Sequence, residues 1–327
     1  MVLFLGAADI ATPRAAQKKM STFRPASVAF SALAAILLML TGLALGKESA
    51  VTDRIIVSGA SGQLGRLVVK NLLARGVPAK NLILVSRTPE SLQEFAKLGA
   101  STRFGDFSKP ESLPAAFSGG TKMLLISIGF GGGPRPEAHR HAIDAAVAAG
   151  VRQIAYTSFV AISGADSSGI GADHYQTEEI LKKSGVKWTM LRNSIYQDAL
   201  VAQAAKMVAD GRAVVPAKEV KLGYVSREDC AAAAAAVLTT PGTENKAYDI
   251  TGPELLGQRE IAAAASAVTG KTITVTDADP NTAPTVRSFA GPAASRVSSH
   301  VADLTGRPPM SLRQLLEANK ATLLKRE

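Results

Sequence analysis

Cysteine and aromatic residues are scarce in this chain of 327 residues. The single cysteine, Cys230, excludes an intrachain disulfide and a cysteine-based metal cluster, and we expect it to be a small buried group beside an alanine-rich helix. Aromatic residues make up only 5% of the chain, too few for a platform that stacks single-stranded nucleic acid. No metal site is predicted, because the histidines lack the spacing of metal ligands; they are His139, His141, His174 and His300.

Runs of basic residues are also absent, although the formal net charge is +10. Part of this charge lies near the N-terminus, where Arg14, Lys18, Lys19 and Arg24 are opposed only by Asp9. The rest is scattered, which indicates either a solvated basic surface or attraction of an anionic small molecule. No nucleic-acid partner is expected.

Charged side chains are missing from residues 25–46, which include the apolar run Ala34–Leu40. A helix of about 20 apolar residues is long enough to cross a bilayer. Basic residues precede the run and Ala44-Leu45-Gly46 offers a cleavage site with small residues, so residues 1–50 are predicted to be a leader, either a signal peptide or a membrane anchor. The remainder is then expected to be exported or membrane-anchored. A cytoplasmic location is the alternative if the start site is misassigned.

The most informative feature present is a glycine-rich turn between an apolar strand and an amphipathic helix. Gly59, Gly62 and Gly65 follow the apolar residues 55–57 with the spacing G-x-x-G-x-x-G. Glycine permits the tight bend, the close approach of a pyrophosphate to the backbone and the close packing of helix on strand. The free N–H groups at the start of the helix favour bound phosphates. The residues predicted to contact a dinucleotide here are Gly59, Ser61, Gly62, Gln63 and Leu64.

Strands and helices alternate after the leader, which predicts an α/β fold of the Rossmann type with a doubly wound parallel sheet. Beyond Arg192 the alternation loosens. Residues 51–192 are therefore predicted to form the nucleotide-binding domain, and residues 193–327 a smaller α+β substrate domain. Two local predictions concern helix limits: Ser108 and Glu111 fit a capping box for a short helix, and one last helix is expected over residues 311–324.

Two residues at neighbouring strand ends bear on which dinucleotide binds. Arg87 follows the second predicted strand, where an acidic residue would hold the ribose hydroxyls of NAD. Its guanidinium suits the 2′-phosphate of NADP instead, with a solvated arginine as the structural alternative. Asp106 ends the third strand, where its carboxylate would either accept a hydrogen bond from adenine or cap a turn.

Hydroxyl side chains end the fourth and fifth predicted strands, at Ser127, Thr157 and Ser158. Ligands of open α/β sheets bind outside the carboxyl ends of the strands, so these residues are predicted to line the nicotinamide side of the site. For Thr157 and Ser158 the structural alternative is ordinary capping of a strand end.

A tyrosine with a lysine four residues later is also missing. Many reductases of this fold use that pair, because the lysine lowers the pKa of the tyrosine and the phenol then exchanges a proton with a carbonyl. None of the five tyrosines has this lysine. Alcohol–ketone chemistry of that kind is therefore not expected, while direct hydride transfer, in which the cofactor carries the hard step, stays open.

Taken together, these segments resemble the NmrA-like branch of atypical short-chain dehydrogenases, above all the type 2 NAD(P)H quinone oxidoreductases and the related triphenylmethane reductases. The similarity extends over about residues 53–325. The matching segments are Ser58–Gly65, Leu124–Ser127, Ala155–Ser158, His174 with Thr177 and Glu178, Thr189–Tyr196, and Gly306-Arg307-Pro308. The resemblance implies a Rossmann domain that prefers NADPH, a small C-terminal substrate domain and hydride delivery to a quinone-like or other conjugated acceptor.

The resemblance also implies a catalytic role for Asn193, which would lie near the nicotinamide and the substrate. Its amide could donate to a carbonyl oxygen as negative charge develops there; an asparagine that ends a strand in a turn is the alternative. The family often has Gly-Trp next, where this chain has Ser194-Ile195.

Other functions stay open from the sequence alone. NmrA-like proteins include regulators that sense NADP(H) without catalysis, and an exported chain that reuses the fold for another ligand is a third possibility. An exported protein also conflicts with a nicotinamide cofactor, which is chiefly cytoplasmic. The expected partner is a small-molecule acceptor; membrane association through residues 25–46 and a homodimer are further expectations.

Overall fold

The structure is a computed structural model that describes residues 53–129, 134–162, 169–216, 219–279 and 294–325. The chain from Thr52 onward forms one compact unit. The leader predicted over residues 1–50 lies outside the described residues. Within the described ranges, no helix is both long and apolar enough to cross a membrane.

Nine strands form two parallel sheets within the described ranges. They are β1 (Ile55–Ser58), β2 (Leu82–Ser86), β3 (Ser101–Phe104), β4 (Lys122–Leu125), β5 (Gln153–Phe159), β6 (Lys187–Asn193), β7 (Arg212–Val215), β8 (Lys246–Ile250) and β9 (Thr274–Asp277). Seven of them form the main sheet in the order β3-β2-β1-β4-β5-β6-β8, and β7 pairs with β9. The predicted Rossmann-type α/β fold is confirmed.

Helices alternate with the strands and cover both faces of the main sheet. They are α1 (Gln63–Ala74), α2 (Gln93–Ala96), α3 (Leu113–Phe117), α4 (Arg135–Ala148), α5 (Ile170–Lys183), α6 (Leu200–Asp210), α7 (Arg227–Thr239), α8 (Gln258–Thr269), α9 (His300–Thr305), α10 (Leu312–Ala318) and α11 (Lys320–Leu323). Helices α8 and α9 have no counterpart among the sequence predictions.

Two predicted helix limits are wrong. The short helix after β3 begins with a 3₁₀ turn at Pro110 whose N-cap is Lys109, without a side-chain bond. Ser108 lies before this N-cap, and its hydroxyl donates to the Asp106 carboxylate. The helix expected over residues 311–324 is divided at Asn319, whose φ of −112° is not helical.

The core lies on both faces of the main sheet, because successive strand residues point to opposite sides. Val57 and Leu84 pack on one side with α1 and α7, and Ile56 and Ile83 pack on the other with α3 and α4. Cys230 is buried on the first side, as expected, and burial raises the pKa of its thiol.

Elements after residue 192 belong to two clusters. Helix α7 packs against α1, and β8 extends the main sheet beside β6. Helices α6, α8, α10 and α11 instead share a separate core around Leu200, Ile261 and Leu316. The division into domains at residue 192 stays a prediction.

Candidate functional site

Two adjoining cavities open at the carboxyl ends of the strands, around the point where the strand order reverses between β1 and β4. The β2 cavity, of about 460 Å³, is lined by residues that follow β2 and β3. The β6 cavity, of about 420 Å³, is lined by residues at the ends of β5 and β6 and by the start of α1, from Gln63 to Gly65. They share one wall, made of Gly59, Gly62 and residues 126–129.

The glycine turn between β1 and α1 contributes Gly59 and Gly62 to the wall that both cavities share. Gly59 has a φ of +68°, a region that favours glycine, and its carbonyl accepts from the Gly62 N–H. A Cβ at Gly65 would lie 2.3 Å from the Gly59 carbonyl oxygen, so only glycine lets α1 approach the turn this closely. The first N–H groups of α1, from Gln63 to Gly65, have no acceptor within the helix, and its first turn has no acidic residue. Such a helix start favours a bound anion.

Serine side chains tie this turn to the end of β2. The Ser61 and Ser86 hydroxyl oxygens are 2.7 Å apart, and Ser86 Oγ accepts from the Thr88 N–H at 2.9 Å. Arg87 is exposed at the same cavity. No hydrogen bond or ion pair between described residues involves its guanidinium, which therefore has all its donors available.

Asp106 lies beyond β3, on the wall of the β2 cavity. Its Oδ1 accepts from both the N–H and the hydroxyl of Ser108, at 3.0 Å and 2.8 Å. Burial alone would raise the pKa of Asp106, but these hydrogen bonds and the charges of Arg87 and Lys109 lower it below its usual range. The turn-capping alternative is thus observed for one oxygen, and the contact with adenine stays a prediction.

Buried hydrogen bonds hold the hydroxyl residues at the ends of β4 and β5. Thr157 Oγ1 accepts from the Ser127 N–H at 2.9 Å. Ser158 Oγ donates to Glu178 Oε1 at 2.7 Å, and the Glu178 carboxylate also receives two hydrogen bonds from Arg192. Thr157 and Ser158 line the β6 cavity, and their side chains have protein partners.

Asn193 and Ser194 differ from these residues because polar atoms of their side chains have no protein partner. They are 5% and 4% exposed, and both line the β6 cavity. Asn193 Oδ1 and Ser194 Oγ form no hydrogen bond with any described residue. A buried polar atom without a partner costs about 1–3 kcal/mol, so a ligand that satisfies these atoms gains that free energy.

The β6 cavity also contains polar residues that the sequence predictions did not assign to the site: Arg135, His174, Tyr196 and Arg227. The Arg227 guanidinium lies 4.7 Å from the centre of the Tyr196 ring, a cation–π contact at the start of α7. Arg135 is nearly buried, and its Nη1 lies 2.7 Å from Asp173 Oδ2. Three of these residues, Arg135, His174 and Arg227, lie on helices. Spacing along the chain places His174 and Glu178 on one face of α5 but does not show that this face meets the cavity.

In the shared wall, two side chains of α4 form hydrogen bonds with the backbone of Ile128. His139 Nε2 accepts from the Ile128 N–H at 3.1 Å, and Arg135 Nε donates to the Ile128 carbonyl at 3.1 Å. Burial, with the nearby His174 and the charge of Arg135, lowers the pKa of His139 to about 3. His139 is therefore neutral, and its Nδ1–H donates to the Thr177 hydroxyl.

Comparisons with known proteins agree with this geometry. A family described as NAD(P)H-binding matches residues 59–241. Quinone oxidoreductase 2 of Escherichia coli (strain K12) is 36% identical over 222 residues, which are 67% of this chain and 76% of that protein. An NAD(P)H azoreductase of Xenophilus azovorans is 31% identical over 220 residues, 67% and 75% of the two chains.

A solved structure shares the fold at similar identity. The NADPH-dependent quinone oxidoreductase QOR2 of Escherichia coli, complexed with NADPH, superposes with a TM-score of 0.71 and 31% identity, over 81% of this chain and 99% of that chain. The resemblance inferred from the glycine turn and the strand-end segments is confirmed. The roles predicted for individual site residues stay predictions.

Proposed function

This chain belongs to the NAD(P)H-binding protein family, and from that premise we propose that it transfers hydride from NADPH to a quinone-like or other conjugated acceptor. It is an NAD(P)H-dependent oxidoreductase, in keeping with similar proteins named as a quinone oxidoreductase and an azoreductase. What we propose beyond this activity is the chemical class of the acceptor.

The residues of the glycine turn fit a dinucleotide. A Cβ at Gly62 would come within 3.3 Å of the Gly59 carbonyl oxygen, so the glycine keeps side-chain atoms away from the start of α1. The N–H groups of Gln63 and Leu64 would hold the pyrophosphate, and Arg87 with Ser61 would hold the 2′-phosphate. When bound, the cofactor supplies the hydride.

The observation that carries the proposal is the buried amide of Asn193 in the β6 cavity, whose Oδ1 has no hydrogen-bond partner within the part of the chain that the structure describes. Apolar side chains surround it there, including Ile126, Phe159 and Ile195. Such walls suit a flat, conjugated ring and exclude water from it. The Nδ2–H of this amide would donate to the carbonyl oxygen of the acceptor and stabilise the negative charge that develops there, while Oδ1 would accept from a donor group of a bound molecule.

Steady-state oxidation of NADPH by the full chain, with a benzoquinone as acceptor, tests this proposal. We expect turnover that depends on the quinone, and a kcat about 100-fold lower in Asn193→Ala, the usual loss when one such donor is removed. Asn71→Ala is the matched control, because Asn71 lies on α1 and its side chain bonds Leu67 and Glu228. Tight NADPH binding with no turnover of quinones or dyes would reject the proposal and favour a sensing role.

The leader supports a separate proposal about location. The uncharged residues 25–46 and the basic residues before them lead us to propose that the chain is exported or held at a membrane. Cell fractionation and N-terminal sequencing test it; a mature chain that is cytoplasmic would reject it. Self-association into a homodimer is tested by sedimentation of the purified chain.

A further inference from the structure

His174 faces the β6 cavity from α5 without any role in the proposal above. It is 4% exposed and lines the cavity together with Asn193. Its ring centre lies 6.0 Å from that of Phe159, and Phe159 is paired with Asn193 across β5 and β6. The imidazole is therefore on the same side of the cavity as the amide that would hold the acceptor.

One ring nitrogen of His174 has a partner and the other does not. Nδ1 lies 2.6 Å from the hydroxyl oxygen of Tyr156, a residue of β5 that is completely buried. Across the described part of the chain, no protein group forms a hydrogen bond with Nε2. This nitrogen is thus the one available to a molecule in the cavity.

The hydroxyl of Tyr156 decides which nitrogen carries the proton. Burial raises the pKa of Tyr156, so the phenol keeps its hydrogen. The neighbouring Thr177 hydroxyl already receives a hydrogen bond from His139 and donates to the Asp173 carbonyl. If the phenol donates to Nδ1 of His174, its buried O–H is satisfied and the imidazole proton lies on Nε2. In the reverse arrangement the buried O–H would have to turn to the Thr177 hydroxyl, which already takes part in two other hydrogen bonds.

The surroundings keep the ring neutral. Burial, followed by the charge of Arg135 on α4, lowers the pKa of His174 to about 3. Of the other charged groups, Asp173 is paired with Arg135 and Glu178 with Arg192, while His139 is itself neutral. A neutral imidazole with a proton on Nε2 is a hydrogen-bond donor that does not titrate between about pH 5 and about pH 8.

We propose that His174 is a further catalytic residue, which donates its Nε2–H to the acceptor oxygen on which negative charge develops. This role rests on the proposed function, because it requires a carbonyl-type acceptor beside Asn193. The acceptor gains a hydride and its two electrons, and the oxygen then takes its proton from water. His174 keeps its own proton throughout, and Tyr156 is a positioning residue that fixes the tautomer.

Nitrogen-15 NMR of the full chain, labelled at histidine and free of cofactor, tests the tautomer directly. We expect His174 to carry its proton on Nε2 and to show no titration between about pH 5 and about pH 8. Its signals are assigned from the spectrum of His174→Gln. In Tyr156→Phe the proton should be shared between the two nitrogens. A proton on Nδ1 in the unchanged chain would overturn the proposal whatever the activity.

Kinetics of matched variants test the role in catalysis. His174→Leu, which has no donor, should lower kcat with a benzoquinone by about 100-fold, whereas His174→Gln, which keeps an N–H, should stay within about tenfold of the unchanged chain. The affinity for NADPH should not change in either. Tyr156→Phe should lower kcat by a smaller factor, and it should have no further effect in His174→Leu. His141→Leu is the control, because His141 lies outside both cavities.

The two proposals fail in different ways. An unchanged chain that does not reduce quinones overturns the proposed function and this role with it. An active chain in which His174→Leu retains full kcat overturns the role of His174 alone. Equal losses in His174→Leu and His174→Gln would also overturn it, because they would mark a merely structural histidine.

Discussion

The β2 and β6 cavities meet at one wall but are built in opposite ways. At the β2 cavity, Ser61, Ser86 and Asp106 bond with close neighbours, and the charge of Arg87 is exposed. At the β6 cavity, polar atoms of Asn193 and Ser194 are buried and have no protein partner among the described residues. The first cavity suits a charged group that remains partly hydrated. The second suits a reacting group that must leave water.

The contrast between the cavities indicates that different residues control the affinity for the cofactor and the rate of the reaction. An exposed arginine contributes mainly to the binding of a phosphate, since both groups keep much of their hydration. Buried donors in an apolar cavity contribute most where charge forms during reaction, because the surroundings screen it little. Changes at Arg87 in the β2 cavity should therefore alter cofactor affinity, and changes at Asn193 in the β6 cavity should alter turnover.

Gly65→Ala should remove the contrast altogether, since both cavities depend on the same turn. The new Cβ would lie 2.3 Å from the Gly59 carbonyl oxygen and 2.7 Å from Ala60 Cα. We expect the free energy of unfolding to fall by about 3 kcal/mol, as overpacking does at its upper range, and cofactor binding to be lost. Urea denaturation and calorimetry measure the two effects.

Gly76→Ala is the matched control for that change. Gly76 has a φ of +84°, and no atom lies within 4 Å of the place that a Cβ would occupy, so only backbone strain is added. We expect a loss of about 1 kcal/mol in stability and no change in cofactor affinity. Equal effects on cofactor affinity from the two variants would contradict the role of Gly65.

Acid should destabilise the chain through two buried histidines, His139 and His174. The pKa values of His139 and His174 are about 3, against an ordinary value of 6.5. Below that ordinary value the unfolded chain binds protons that the native chain does not, so stability falls as pH decreases toward 3. Between about pH 7 and about pH 5 each histidine should cost about 2 kcal/mol.

Urea denaturation at both pH values measures this loss. In His139→Gln the loss should shrink by about 2 kcal/mol, because one of the two buried histidines is gone. An unchanged pH dependence in His139→Gln would show that His139 binds a proton as readily in the native chain as in the unfolded chain.

Arg87→Ala should weaken NADPH binding about tenfold and leave NADH binding unchanged, because one charge-assisted hydrogen bond to a phosphate is lost. Calorimetry with both nucleotides measures the preference. Arg140→Ala is the control, since Arg140 is exposed on α4 outside both cavities. An equal loss of affinity for the two nucleotides would place Arg87 away from the 2′-phosphate.

The smallest effect should come from exchanging two buried serines for alanine. Ser158→Ala removes a donor from the buried Glu178 carboxylate and should lower stability by about 1 kcal/mol. Ser194→Ala removes a hydroxyl that has no partner among the described residues and should change stability by less than about 0.5 kcal/mol. Thermal denaturation of the ligand-free chain compares them. A larger loss in Ser194→Ala would mean that this hydroxyl has a partner in the folded chain.

Residues next to a strand could be placed from the sequence. The glycine turn, Arg87 and Asp106 follow strands of the main sheet, so the parallel sheet alone brings them to one edge. Residues on helices could not be placed, because the face of α5 that meets the cavity depends on how the helix packs. The sequence therefore indicates His174 only as part of a segment that matches the family, and Tyr156 only as a tyrosine that has no lysine four residues later.

Competing hydrogen bonds account for the local errors. Ser108 fits a capping box by its spacing, but the 3₁₀ turn begins at Pro110, and the hydroxyl of Ser108 donates to the Asp106 carboxylate. Thr157 and Ser158 line the β6 cavity, and their hydrogen-bond partners Ser127 and Glu178 lie in other parts of the fold. Spacing along the chain gives no information on which of several acceptors a hydroxyl will choose.

The double attachment of Ile128 makes the partition between the cavities rigid in advance of any ligand. Both its backbone polar groups are bonded to side chains of α4 before any ligand is present. Substitutions at residues 193–195 could consequently exchange one acceptor for another without altering Ser61 and Arg87, which line only the β2 cavity. Diversification of substrate range at constant coenzyme is the behaviour that such a divided cleft permits.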